Sequence, residues 1–156
     1  MTGAPALLAE LQRRGLTLAV AESLTGGALA DAIVSVPGAS AVFRGGVVAY
    51  ATDLKRTVLG VDGDLLAEHG AIHPDVARQM AEGVCDLLGA DVGLATTGAA
   101  GPDAQDGHAP GEVYVAFAGP GSITVERLDL DGDRSLIRGA AVERVLALAS
   151  AVLAAE

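Results

Sequence analysis

The sequence predicts a three-layer α/β/α fold, a single domain over residues 1–156 built on a mixed sheet of about five strands. Three observations lead there. Segments with apolar residues at helical spacing interleave with short apolar runs bounded by glycine and proline. The hydrophobic fraction is 51% but only 3% of residues are aromatic, so the core has to be layered from Ala, Val, Leu and Ile. A chain of 156 residues buries roughly two-thirds of its unfolded surface without disulfides or metal staples, so no second domain is needed.

Taken in order, Ala4 to Arg14 has Leu7, Leu8 and Leu11 on one helical face and Gly15 as terminator. Leu16 to Ala21 reads as a short buried strand, and Gly26 to Val34 as a second helix closed by Pro37-Gly38. Phe43 to Ala51 is a second strand that Gly45-Gly46 weakens or bulges. Helical turns are expected at Asp53 to Leu59 and Leu65 to His69. A longer helix starts at Pro74 and repeats Val76, Ala77, Met80, Val84, Leu87 and Leu88 up to Gly89. Asp91 to Thr96 is a third strand, and Thr97 to Gly111 a long Gly-, Asp- and Pro-rich loop of the functional or mobile kind. Val113 to Ala118 and Ile123 to Leu130 are adjacent strands joined by Gly119-Pro120-Gly121-Ser122, and a last helix runs from Arg134 to Ala154.

Composition excludes several classes of function. A formal charge of −10 leaves no residues for the basic face that nucleic-acid binding needs. Glu10 interrupts the first apolar stretch and Glu143 and Arg144 the last, which argues against a signal peptide or a membrane span and for a cytoplasmic protein. The lone Cys85, among Val84, Leu87 and Leu88, reads as a reduced core thiol. His69 and His73 lack a supporting carboxylate at helical spacing, so no metal site is expected.

In sheets of this type ligands sit beyond the carboxyl ends of the strands, and each remaining motif falls there. Ser23, Thr25, Gly26 and Gly27 follow the first strand and open a helix. Their N–H groups are expected to be free for a phosphate, or for an oxyanion formed when a hydroxyl attacks a carbonyl. The competing role for Ser23 or Thr25 is a plain helix cap. Lys55 is the only lysine beside nine arginines, which suggests chemistry for its amine, with chance retention as the alternative. Tyr50, near it, supplies a phenol. Thr97, Gly98 and Gly101 leave the third strand as a backbone-exposing turn. Asp133 is placed to cap the last helix, which sets Arg134 and Arg138 on one face against the helix dipole. Either an anion sits between them and the helix end, or they pair with Asp131 or Asp133.

In this order, Ala21-Glu22-Ser23-Leu24-Thr25-Gly26-Gly27, Phe43-Arg44-Gly45-Gly46-Val47-Val48-Ala49-Tyr50, Lys55 with Leu59-Gly60-Val61, Thr97-Gly98-Ala99-Ala100-Gly101-Pro102 and Gly132-Asp133-Arg134 with Arg138 resemble the CinA C-terminal domain family, the nicotinamide-nucleotide amidohydrolases. The likeness covers nearly the whole chain and matches the free-standing form of the domain. It departs at Leu24, where the family often has cysteine, at Thr52, at His73, where serine is frequent, and at His108-Ala109-Pro110-Gly111.

The resemblance implies hydrolysis of nicotinamide mononucleotide to nicotinate mononucleotide and ammonia, a step of pyridine-nucleotide salvage. No metal or cofactor is implied, and a homodimer or higher homo-oligomer is. It suggests Ser23 as nucleophile, Lys55 as proton acceptor and Tyr50 bridging or orienting them. Substrate contacts are expected from Thr25, Gly26, Gly27, Thr97, Gly98, Gly101, Arg134 and Arg138. The alternatives are a non-catalytic nucleotide-sensing or partner-binding module, and a hydrolase of another small anionic amide or of a phosphoester.

Overall fold

The computed structural model describes residues 3–156; residues 1 and 2 of the expected domain lie outside the described residues. The chain runs α1 (Ala4–Arg14), β1 (Leu18–Glu22), α2 (Ala28–Val34), a 3-10 turn (Ala39–Ala41), β2 (Phe43–Val48), α3 (Thr52–Thr57), α4 (Gly63–His69), α5 (Pro74–Leu88), β3 (Val92–Gly98), β4 (Glu112–Gly119), β5 (Ser122–Asp129) and α6 (Arg134–Ala154). The five strands form one sheet in the order β2-β1-β3-β4-β5. β1 is parallel to both neighbours while β3, β4 and β5 are successively antiparallel, so the sheet is mixed and the fold α/β.

The two faces of the sheet are unlike, and strand alternation makes them so. Leu18, Val20, Leu94, Val113, Val115 and Phe117 point to the face covered by α1, α2 and α6. Ala19, Ala21, Ala95, Ala116 and Ala118 point to the other, where α5 supplies Val76, Ala77, Met80 and Val84. Large side chains thus fill one layer, and small ones let α5 approach closely on the other.

Element ends differ from the sequence reading where a partner, not local composition, decides them. Leu16 is not yet strand: its N–H closes α1 on Leu11 behind the left-handed Gly15 (φ 70°), and β1 begins at Leu18. β1 extends to Glu22, which pairs with Val48. β2 stops at Val48, short of Ala51, because the chain turns there into α3. β3 extends through Gly98, paired with Val113, which shortens the loop to residues 99–111. Across β1 and β2, Leu18 faces Phe43 and Ala19 faces Gly45, so the bulge residue is Arg44. Gly46 is needed because a Cβ there would stand 2.7 Å from Val20 Cγ2.

Cys85 is half-buried rather than fully in the core. Its burial and the charges of Asp86, Asp91 and Glu82 push the thiol up to about 11, which keeps it protonated and inert at neutral pH. Among the described residues no helix is long and apolar enough to cross a membrane.

Candidate active site

The turn after β1 is built around a carboxylate that sequence reasoning left without a role. Glu22 is buried, and its oxygens accept from the N–H groups of Leu29 (2.8 Å) and Ala30 (3.1 Å) and from the Thr25 hydroxyl (2.5 Å). It therefore occupies the N-terminus of α2, where its charge suits the helix dipole. The Thr25 hydroxyl also meets Thr96 Oγ1 at 2.8 Å, and Thr97 donates to the Ala71 carbonyl at 2.8 Å.

This narrows the expected anion cradle at Thr25, Gly26, Gly27 and Thr97: the Gly26 N–H and both threonine hydroxyls are engaged within the protein, while the N–H groups of Thr25 and Gly27 are not. The first-turn donors of α2 are spent on Glu22, and both threonine hydroxyls are buried braces. Gly26 (φ 56°) and Gly27 (φ 104°) make the turn in the left-handed region, and the Gly26 N–H closes on the Ser23 carbonyl. The N–H groups of Leu24 and Thr25 take no part in the hydrogen bonds among the described residues.

With Glu22 filling the cap, Ser23 is not one. Its N–H donates to the Thr96 carbonyl (3.1 Å), and its hydroxyl faces Lys55, whose Nζ lies 3.0 Å away. Lys55 sits in α3 with 1% of its surface exposed, among the largest fully buried side chains of the protein. The amine also donates to the carbonyls of Ala49 (2.7 Å) and Tyr50 (3.2 Å). Burial holds its pKa down at about 8, against 10.5 for a free lysine, with the charge of Asp106 acting in the opposite direction.

The chain brings the amine here by local means. The Ala49 N–H is held by the Glu22 carbonyl, the backbone reverses at Ala49–Ala51, and one turn of α3 returns Lys55 to the strand ends. In its neutral form the amine has two N–H donors, matched by the two carbonyls, and a lone pair left facing the Ser23 hydroxyl. That is the geometry of a general base beside a nucleophile.

Tyr50 is placed differently from expectation. Its backbone carbonyl, not its phenol, faces the amine; the residue is 59% exposed and its hydroxyl accepts from Arg134 at 3.1 Å. No phenol bridges Ser23 and Lys55. The arginines pair with neither Asp131 nor Asp133, and they do not form a twin anion clamp. Arg138 donates to the carbonyls of Leu24 (2.8 Å) and Thr25 (3.0 Å), locking the turn. Arg134, on the exposed rim, donates to the Gly101 carbonyl (2.6 Å) and to Tyr50. Asp133 caps α6 through the Leu136 N–H at 2.9 Å.

Ser23, Leu24, Tyr50, Gly98, Ala100, Gln105 and Arg134 line a small cleft. Gly98 must lack a side chain, since a Cβ there would stand 2.7 Å from the Glu112 carbonyl. Gly101 (φ 83°) orients the carbonyl that holds Arg134. A larger groove lies between Val58–Gly60 and α5, but it has no nucleophile beside a base.

Sequence reasoning missed Glu22, Gln105 and the Ala49 carbonyl. For Glu22 a signal existed: an acidic residue between an apolar run and a glycine-led helix that has no hydroxyl at its cap position. Gln105 and a backbone carbonyl carry no such mark.

The profile of the CinA C-terminal domain matches residues 2–153. A CinA-like protein of Frankia casuarinae is 49% identical over 148 residues, covering 95% of this chain and 34% of that protein. Another, from Gloeobacter violaceus, is 51% identical over 134 residues, 85% of this chain and 32% of the relative. The chain spans about a third of the length of these curated relatives. A crystal structure of a CinA superfamily protein from Klebsiella pneumoniae superposes with a TM-score of 0.93 at 34% identity, covering 97% of this chain and 95% of the other. The competence/damage inducible protein CihA from Agrobacterium tumefaciens gives 0.91 at 34% identity, over 96% and 92%. With sequence and fold in agreement from end to end, this chain belongs to the CinA C-terminal domain family.

Proposed function

We propose that this domain is a cytoplasmic nicotinamide-nucleotide amidohydrolase, working as a homo-oligomer. It converts nicotinamide mononucleotide and water to nicotinate mononucleotide and ammonia. The observation that carries this reading is the buried Lys55 amine 3.0 Å from the Ser23 hydroxyl, beside the cleft that Ser23 and Arg134 line.

Ser23 Oγ attacks the carboxamide carbon as its proton passes to the neutral Lys55 amine. The free N–H groups of Leu24 and Thr25 suit the oxyanion that forms. Collapse of the tetrahedral intermediate breaks the C–N bond, and the Lys55 ammonium returns the proton to the departing ammonia. Water then attacks the ester with Lys55 again as base, releasing the carboxylate and restoring Ser23. Arg134, with the Tyr50 hydroxyl beside it, is the exposed cation at the mouth and suits the substrate phosphate.

Ammonia release from nicotinamide mononucleotide by the purified protein tests the reading. Lys55→Ala is expected to lose on the order of 10²- to 10⁴-fold in kcat, the usual reach of a general base, and Ser23→Ala to be inactive. Wild-type protein that binds the nucleotide in calorimetry without releasing ammonia would instead be a sensing module. Undiminished turnover in both variants would sink the mechanism.

A further inference from the structure

The turn after β1 leaves the N–H groups of Leu24 and Thr25 free beside the nucleophile, and Leu24 lines the cleft with Ser23. In a planar trans peptide the C=O and the N–H point in opposite directions, so whatever holds one sets the aim of the other. The carbonyl of the Leu24–Thr25 peptide accepts from Arg138 Nε at 2.8 Å, and its N–H is the free one of Thr25. The carbonyl of the next peptide, Thr25–Gly26, accepts from Arg138 Nη2 at 3.0 Å. Its N–H, on Gly26, donates to the Ser23 carbonyl at 3.1 Å, and the N–H of that Ser23–Leu24 peptide is the free one of Leu24. Both free donors thus end hydrogen-bonded runs of peptides, of one unit and of two, that begin on a single guanidinium.

Arg138 is half-buried, and among the described residues it has no other hydrogen bond and no ion pair, so no carboxylate neutralises its charge. It rests on the turn: a Cβ at Gly26 would stand 3.4 Å from Nη2. Charge-assisted hydrogen bonds are roughly twice as strong as neutral ones, and bonded chains polarise along their length, so the guanidinium raises the positive charge on both free N–H groups. The same turn holds the Glu22 carboxylate, 2.5 Å from the Thr25 hydroxyl. Its field opposes a second negative charge beside it, and Arg138 is the cation bonded to the turn that offsets it. The Gly27 N–H is free as well, but its peptide carbonyl, that of Gly26, accepts from nothing among the described residues, which makes it an unpolarised reference in the same turn.

We propose that Arg138 is a positioning residue for the oxyanion: through the peptides of residues 23–26 it aims the Leu24 and Thr25 N–H groups and makes them stronger donors, without touching the substrate. This rests on the reading of Ser23 as the nucleophile given above.

Arg138→Gln and Arg138→Lys separate charge from support, since either side chain can donate to a turn carbonyl and only the second keeps the charge. With a fluorophosphonate probe, a bond forms between Ser23 Oγ and phosphorus as fluoride leaves and Lys55 takes the proton. Negative charge builds on the phosphoryl oxygen, so the labelling rate, followed by mass spectrometry, reads the donors with no nucleotide present. Arg138→Gln is expected to label about 10- to 100-fold more slowly than wild type, short of the roughly 10²- to 10³-fold that removing an oxyanion donor costs. Arg138→Lys is expected to regain most of that loss. Equal rates in the two variants, whether both slow or both unimpaired, would overturn the proposal. Amide hydrogen exchange in wild type gives a second reading that needs no variant to fold. Hydroxide-catalysed exchange passes through a peptide anion, so Leu24 and Thr25 are expected to exchange faster than Gly27 once intrinsic sequence rates are divided out. Gly27 exchanging as fast as either would also overturn the proposal. Ammonia release keeps the outcomes apart. A wild type that shows the labelling and exchange pattern but releases no ammonia from nicotinamide mononucleotide sinks the amidase reading alone, and an active enzyme with equal variants sinks the Arg138 proposal alone.

Discussion

Lys55 concentrates the functional argument in one side chain, and its chemistry sets a sign that can be checked. A lysine whose pKa falls from 10.5 to about 8 on folding binds its proton less well in the native state. Its penalty on stability is present in full below pH 8 and is relieved as pH rises from 8 to 10.5, because over that window the unfolded chain holds more protons. The gap corresponds to about 3 kcal/mol. Guanidinium unfolding of wild type and Lys55→Met should therefore show wild type gaining about that much relative to the variant between pH 7 and pH 10.5. A constant difference would mean that the amine keeps the basicity of a free lysine in the folded chain. At this scale the sequence was informative where a residue was unusual by type. The lone lysine stood out from nine arginines, and Ser23 could be placed at a strand end. It was uninformative about direction: nothing local says that Tyr50 turns its carbonyl to the amine and its phenol to Arg134.

The β1–α2 turn is the element on which the nucleophile depends, and Glu22 organises it from within. In Glu22→Gln one oxygen becomes an amide NH₂ that faces the N–H of Leu29 or Ala30 or the Thr25 hydroxyl, leaving buried groups unsatisfied. The expected loss of stability is about 1–3 kcal/mol. Steady-state kinetics should show kcat reduced with KM little changed, since Ser23 shifts while the rim does not. An unaltered kcat would mean that Ser23 is held by Thr96 alone. The helices were legible because their signals are local: leucine spacing and Gly15 for α1, Pro74 and Gly89 for α5, Asp133 for α6. Strand ends were read short or long by one to three residues, because they are fixed by pairing across the sheet. Glu22 reads as loop from its charge, yet it pairs with Val48 and buries its carboxylate in a helix end that supplies the donors.

Across the whole molecule, the unequal faces of the sheet connect packing to the site. On the alanine-lined face, α5 lies so close that a Cβ at Gly93 would overlap the Ala81 carbonyl of α5, and one at Gly83 would overlap the Leu59 carbonyl. Neither backbone can yield without moving α5, so Gly83→Ala and Gly93→Ala should each cost about 3 kcal/mol or more. That is on the order of 10 °C in Tm for a chain of this size. Their effects on catalysis should differ. Leu59 follows directly on the segment that carries the lysine, and the Val61 N–H donates to the Lys55 carbonyl at 3.0 Å, so pushing Leu59 off α5 also pulls the amine from Ser23. Gly93 lies toward the far end of β3 from Gly98, and its displacement leaves the cleft intact. Measured per folded molecule at a temperature where both variants are native, Gly93→Ala should keep wild-type kcat and Gly83→Ala should lose it by tenfold or more, roughly what a 1.4 kcal/mol misplacement of the base amounts to. Equal activities in the two would show that α3 holds the amine in place independently of α5.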